Sequence, residues 1–209
     1  MQRRRLFPFR FDILSNSNPA HNEHRRGGNT RVQLDVIRTG MKKLLKRGAL
    51  FLFALLVIGL LLPQKTVVPV AGASEKSWNP KSFWHHPWGE SVTHKGIDIF
   101  ARKGKPVVSA THGICVYSGE LVRGGTSAVV LGPKWRLHLY AHLRGVDVST
   151  FDLLGAGEEI GTVGDSGNAK GKQPHLHYGI LTLVPYPWRI DGSVQGWKKM
   201  FYLNPDDYI

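Results

Sequence analysis

Short runs in which apolar and polar residues alternate fill most of the chain after residue 94. In residues 136–143, RLHLYAHL, the leucines and the alanine fall on one face and His138, Tyr140 and His142 on the other, because successive side chains of a strand point to opposite faces. Glycine pairs and a Gly-Pro step break the pattern into short segments. The pattern predicts a mainly β domain of half-buried antiparallel strands, with the apolar face toward the core.

Two further segments carry polar chemistry on the face opposite to their apolar residues. In PHLHY, His175 and His177 project to the same side about 7 Å apart, while Leu176 points the other way, toward a core. In GIDIF, Asp98 alternates with two isoleucines, and His94 precedes it by four residues. Each segment is therefore expected to be a strand that presents its histidines or carboxylate away from the core.

These residues match the requirements of a catalytic zinc site, which needs three protein ligands and one open position. His94, Asp98 and one histidine of the His175/His177 pair could be the ligands. Two histidines, His142 among them, then remain beside the open position, and histidine is suited to move protons near neutral pH. No motif is specific alone, but their coincidence on alternating strands favours a metal site. The sequence has no His-Glu-x-x-His motif, so a glutamate base is not indicated.

The order of these motifs resembles that of the lysostaphin/LytM-type zinc metallopeptidases. The similarity covers roughly residues 91–183 and rests on HKGID at 94–98, YAHL at 140–143 and PHLH at 174–177. It implies the duplicated hybrid motif fold, an open, barrel-like antiparallel β-sheet. Residues 85–94 depart from the family, which usually has a longer segment with an arginine before the first ligand.

By this resemblance His94, Asp98 and His177 hold one zinc ion per chain, and His142 and His175 form an unliganded catalytic pair. Which of the two is the general base stays open. Family members cut peptide bonds in the stem or cross-bridge of peptidoglycan, which implies a zinc-dependent endopeptidase that uses metal-activated water. The alternative is a catalytically silent or latent member that binds the wall or regulates a partner hydrolase. Because all five positions are filled, the enzyme is the favoured hypothesis.

The distribution of charge argues against a nucleic-acid partner, although the net charge is +13. Twelve Lys/Arg and three Asp/Glu fall within residues 1–47, whereas fifteen Lys/Arg and twelve Asp/Glu follow from Ser74 onward. The excess positive charge thus belongs to the N-terminal tail and not to the β domain. Cys115 is the only cysteine, which excludes an intrachain disulfide, and its β context predicts a buried apolar role.

An uncharged apolar run occupies residues 49–62, directly after four basic residues at 42–47. Its length lies nearer to a signal-peptide core, about 7–15 residues, than to a membrane-spanning helix of about 20. Ala71-Gly-Ala73 offers a small-residue cleavage site, although it lies far from the run. A cleaved signal and an anchor formed by residues 48–63 both stay open. Either way, the basic flank remains cytoplasmic and the domain is exported to the envelope, on the periplasm or cell-wall side.

The chain is therefore predicted to have four parts. Residues 1–47 form a basic cytoplasmic tail, part of which precedes an alternative start at Met41. Residues 48–73 form the signal sequence or membrane anchor. Residues 74–90 form a linker that packs on the domain edge through its tryptophans, and residues 91–209 form the zinc peptidase domain.

Overall fold

The computed structural model describes residues 20–209, with side chains described from Arg31 onward. A long helix, α1, spans Ala20–Leu61, and its part Arg31–Leu61 is long and apolar enough to cross a membrane. The predicted basic tail, residues 1–47, lies partly outside the described residues. Leu55–Ile209 forms a compact unit that contains all of the β structure described below.

Nine short strands make up the β structure of the described residues. They are β1 (Ile97–Phe100), β2 (Pro106–Val108), β3 (Gly113–Leu121), β4 (Gly125–Gly132), β5 (Arg136–Val146), β6 (Leu153–Leu154), β7 (Glu159–Val163), β8 (His175–Thr182) and β9 (Tyr202–Leu203). All of their pairings are antiparallel, in the order β1-β8-β5-β4-β3-β6, with β7 joining β5 to β2 and β9 beside β8. The sheet is open and mostly antiparallel, which confirms the predicted fold class.

Strands β1 and β8 follow the predicted alternation. Ile97, Ile99 and Leu176 are fully buried, and burial of such a side chain stabilises the fold by about 1.5–3 kcal/mol. Asp98 and His177 lie between them along the strands and are paired across the β1–β8 ladder. Register and alternation together bring a carboxylate and an imidazole to one face of the sheet.

Strand β5 does not follow the predicted alternation. His138 and Tyr140, expected on the non-core face, are fully buried, and Leu139 lines the cleft described below. The polar ends of both core side chains are satisfied: the Tyr140 hydroxyl accepts from the backbone N–H of Ala110 at 2.7 Å, and His138 Nδ1 lies 2.7 Å from the Tyr178 hydroxyl. Because each polar tip has a partner, the large rings pack in the core and the leucine faces outward.

The residues between α1 and β1 pack along the β domain in extended chain and short 3-10 turns. Trp78 is buried and donates its Nε1–H to Asp206 at 2.7 Å, and Trp84 donates to the Val194 carbonyl at 3.0 Å. The expected aromatic packing of this segment is therefore present. Cys115 is buried, as predicted.

Candidate metal centre and active site

Three of the predicted residues converge on one point at the end of β1 and β8. His94 Nε2 lies 3.1 Å from Asp98 Oδ1 and 3.2 Å from His177 Nδ1, and His177 Nδ1 lies 2.8 Å from Asp98 Oδ1. Ligand atoms that surround a tetrahedral zinc at 2.0–2.1 Å are about 3.3 Å apart. The three atoms are thus spaced as a metal coordination sphere requires.

The hydrogen bonds of His94 fix which of its nitrogens faces the cluster. Its Nδ1 lies 3.0 Å from the backbone carbonyl of Ser82, and a carbonyl only accepts, so Nδ1 carries the hydrogen. In the neutral ring Nε2 then presents a lone pair to the Asp98 carboxylate and to His177. The Trp88 ring stacks on the His94 imidazole with centroids 4.1 Å apart. Lone pairs that face one another fit a cation between them, so the residues suit a metal ion.

The carboxylate of Asp98 is ionised in this setting. Its burial raises the pKa, but the close contacts with the His177 and His94 imidazoles outweigh burial and hold the pKa well below its ordinary value. An ionised carboxylate beside two imidazoles is a common donor set for zinc.

Gly96 has a steric reason to be glycine in the HKGID motif. A Cβ atom placed there would lie 2.9 Å and 3.0 Å from two ring atoms of His177 and would overlap the Tyr178 carbonyl. The bend at Gly96, between the first two candidate ligands, thus leaves room for the His177 ring only when residue 96 has no side chain.

His142 and His175 lie beside this cluster. Their rings are 5.1 Å apart in an edge-to-face arrangement, and the ring of His142 lies 5.9 Å from that of His177. The Nδ1–H of His142 donates to the Ser166 carbonyl at 3.0 Å, and that of His175 to the Gln173 carbonyl at 2.8 Å. In both neutral rings Nε2 therefore holds the lone pair that is free for chemistry.

His142 reaches the cleft through an irregular backbone. Its φ is 63°, a left-handed value that is uncommon for a residue with a side chain. Its N–H donates to the Gly124 carbonyl at 2.7 Å, outside the regular β4–β5 ladder. This kink explains how His142 faces the cleft although Tyr140, two residues earlier, faces the core. The sequence prediction placed His142 on the face away from the core, where it lies, but the regular alternation on which that prediction rested is absent from β5.

Burial keeps the His142 ring in its neutral form. Burial lowers the pKa of the ring most, the charges of His177 and His175 also lower it, and the Ser166 carbonyl and Asp98 oppose them, so that the pKa is about 4. The imidazole is therefore neutral at pH 7 and able to accept a proton.

The five residues line one cleft of about 680 Å³. Residues 87–91 form one wall, the β3–β4 turn forms another, and residues 168–173 form a rim. Glu90 and Arg123, on facing walls, form an ion pair at 3.1 Å. The sequence predictions missed the carbonyls that orient the imidazoles, because backbone acceptors have no residue signature. They also missed the stacking role of Trp88, which was assigned to the linker.

Comparisons with known proteins point to the same region of the chain. Residues 92–186 match Peptidase family M23. The chain is 32% identical over 130 residues to the L-Ala--D-Glu endopeptidase of Bacillus subtilis (strain 168), covering 55% of this chain and 38% of that protein. It is 30% identical over 125 residues to the murein hydrolase activator NlpD of Salmonella dublin, covering 55% and 32%.

A solved structure also resembles the fold. It belongs to a protein of Ruminococcus gnavus ATCC 29149 described as a candidate glycyl-glycine endopeptidase lytM. The TM-score is 0.52 with 26% identity, over 68% of this chain and 58% of that one. The chain spans less than two fifths of the length of these two curated relatives.

Proposed function

We propose, from the match of residues 92–186 to Peptidase family M23 and from the geometry of the site, that the chain is a zinc-dependent endopeptidase that hydrolyses peptide bonds of peptidoglycan. One observation carries the proposal: ligand atoms of His94, Asp98 and His177 converge beside two further imidazoles whose free nitrogens face the same cleft. The similarity to an L-Ala--D-Glu endopeptidase supports a peptide of the wall as the substrate.

His94, Asp98 and His177 would hold the zinc ion. Zinc, when bound, supplies Lewis acidity that polarises the scissile carbonyl and promotes ionisation of water near neutral pH. Asp98 contributes a negative charge that offsets part of the metal charge. The Ser82 carbonyl and the Trp88 ring keep the His94 imidazole oriented toward the cluster.

His142 is the proton acceptor in this mechanism. Its ring is neutral at pH 7, its Nδ1–H is held by the Ser166 carbonyl, and its Nε2 lone pair is free. It takes a proton from the attacking water and returns it to the leaving amine. His175 is oriented in the same way by Gln173. In its protonated form it donates from Nε2 to the carbonyl oxygen as negative charge develops there.

A regulatory role is the second candidate function, because the chain is also similar to a murein hydrolase activator. In that role the fold binds the wall or a partner hydrolase without cutting a bond. The presence of both histidines beside the candidate ligands favours the enzyme.

The test uses purified full-length protein in detergent with isolated sacculi as substrate. We expect one zinc per chain by elemental analysis and new muropeptide fragments by mass spectrometry. His142→Ala should retain the zinc and lose cleavage, His177→Ala should lose the zinc, and His112→Ala, an exposed histidine outside the cleft, should change neither. Zinc-loaded protein that leaves sacculi intact but accelerates an added hydrolase would establish the regulatory role instead.

A further inference from the structure

The segment that follows the apolar helix is built into the β domain. Val70 forms a bridge with Val107 of β2 and is 2% exposed, within the main hydrophobic core. Three backbone hydrogen bonds of 2.9–3.1 Å join residues 67–71 to residues 106–110: Val67 N–H to Ala110 O, Val108 N–H to Pro69 O, and Ala71 N–H to Pro106 O. This segment therefore extends the sheet beside β2 and contributes to the core.

Gln64 satisfies two polar groups inside the same domain. Its Oε1 accepts from Arg136 Nη1 at 2.5 Å, and its Nε2 lies 3.2 Å from His138 Nε2. Arg136 is 7% exposed, and its other partner is Tyr208, whose ring lies 4.5 Å from the guanidinium carbon. Without Gln64, a buried guanidinium and a buried imidazole each lose a hydrogen-bond partner. Each loss destabilises the folded state, because no water reaches the buried group to replace the missing partner.

The candidate cleavage site, Ala71-Gly-Ala73, lies at the end of this integrated segment. A signal is removed before the exported chain folds, so the fold cannot protect the site from cleavage. The fold does show which contacts the cleaved product would lack. A chain that begins at Ser74 would lack Val70, the strand beside β2 and Gln64. The geometry thus favours a mature protein that keeps the residues before Ser74.

The last turns of α1, which belong to the unit Leu55–Ile209, also form hydrogen bonds with the β domain. Trp135 donates its Nε1–H to the Leu56 carbonyl at 2.9 Å, and Lys134 Nζ donates to the Leu60 carbonyl at 3.0 Å. The Leu60 carbonyl belongs to the last turn of the helix, where backbone acceptors need partners from outside it. Tryptophan is also enriched at the interface between a bilayer and water.

We infer that the apolar helix remains as a membrane anchor and holds the β domain directly at the bilayer surface. Two residues separate the helix end at Leu61 from Gln64, which is already bound to the domain, so the gap is at most about 10 Å. A unit of this size is about 40 Å across. In a consequence that rests on the proposed function, the enzyme reaches only wall peptides close to the membrane, whereas a released enzyme would reach the whole wall.

The first experiment expresses the full chain with a C-terminal tag in a bacterium that exports it, and measures intact mass and extraction by alkaline carbonate. We expect a product that still contains residues 41–61, resists carbonate and is released by detergent. Ala73→Gln, which blocks cleavage by signal peptidase, should give the same product. A soluble fragment that begins at Ser74 and disappears in Ala73→Gln would overturn the inference.

The second experiment tests whether the segment belongs to the fold, using the full chain in detergent. Gln64→Ala should lower the melting temperature by about 5–10 °C, and Lys65→Ala, an exposed neighbour, should leave it unchanged. Equal melting of the two variants would contradict the structural role of the segment. Neither experiment measures peptide cleavage, so the proposed function and this inference can fail separately.

Discussion

Gly96→Ala tests whether the space beside His177 is needed for metal binding. The added Cβ would lie 2.9 Å and 3.0 Å from two atoms of the His177 ring, whereas ordinary contacts begin at 3.4 Å. The ring must therefore move by several tenths of an ångström. Metal–ligand distances tolerate only about 0.2 Å. We expect the ring to leave its place in the cluster.

The size of the effect follows from the cost of overpacking, about 1–3 kcal/mol. If all of that cost falls on the metal-bound state, zinc affinity drops by about 5- to 150-fold. If the fold absorbs it instead, as the overlap with the Tyr178 carbonyl permits, the melting temperature of the metal-free protein drops by about 2–12 °C. A loss of zinc affinity would place the strain in the metal-bound state, and a lower melting temperature would place it in the metal-free fold.

The assay is chelator competition for zinc, with a thermal melt of the metal-free protein beside it. Gly192→Ala is the matched control, because a Cβ there meets nothing within 4 Å. Its zinc affinity and melting temperature should equal those of the wild type. Gly96→Ala protein that binds zinc within twofold of the wild type and melts normally would refute the steric reasoning.

Two further predictions concern Trp88, which stacks on the candidate ligand His94, and His138, which is buried in the core. Trp88→Leu should weaken zinc binding by about 10- to 100-fold, because the ring that stacks on His94 is lost, and Trp88→Phe should restore most of the affinity. Burial, aided by Arg136, lowers the pKa of His138 from 6.5 to about 3, so the unfolded chain takes up a proton that the folded protein excludes. Stability should therefore fall as the pH drops from 6.5 toward 3, by up to roughly 4 kcal/mol, and denaturant melts of His138→Phe should show a flatter profile in that window.

The parts of the site that lie on regular strands could be predicted from the sequence. Asp98 and the His175/His177 pair alternate with Ile97, Ile99 and Leu176, which are fully buried, and the antiparallel register brings the two strands together. Strand β5 could not be predicted in this way. Its alternation changes phase at His142, where φ is 63°, and the sequence there has no glycine to mark the irregularity.

The role of residues 64–73 was also out of reach of sequence patterns. Their composition resembles the spacer after a signal sequence, and nothing local reveals that Val70 belongs to the core. The pairing of this segment with residues 106–110 is a long-range contact, set by the edge that β2 leaves open. Likewise, the need of Arg136 for a hydrogen-bond acceptor such as Gln64 exists only after folding has buried the guanidinium.

The imidazole orientations lead to a prediction about protons. His94 uses Nδ1 to bind a carbonyl and turns Nε2 to the cluster, while His177 turns its Nδ1 to the same point. With Asp98 ionised, three acceptor atoms then face one another, so without a metal a hydrogen must lie between them. The His94–His177 and His177–Asp98 distances each permit one. A zinc ion held by these three atoms would occupy the place of that hydrogen, and we expect the hydrogen to be released to solvent. Calorimetric titration at pH 6 in two buffers of different ionisation enthalpy should give different heats. Identical heats would mean that zinc binding releases no net proton, which would contradict the expected release of the hydrogen to solvent.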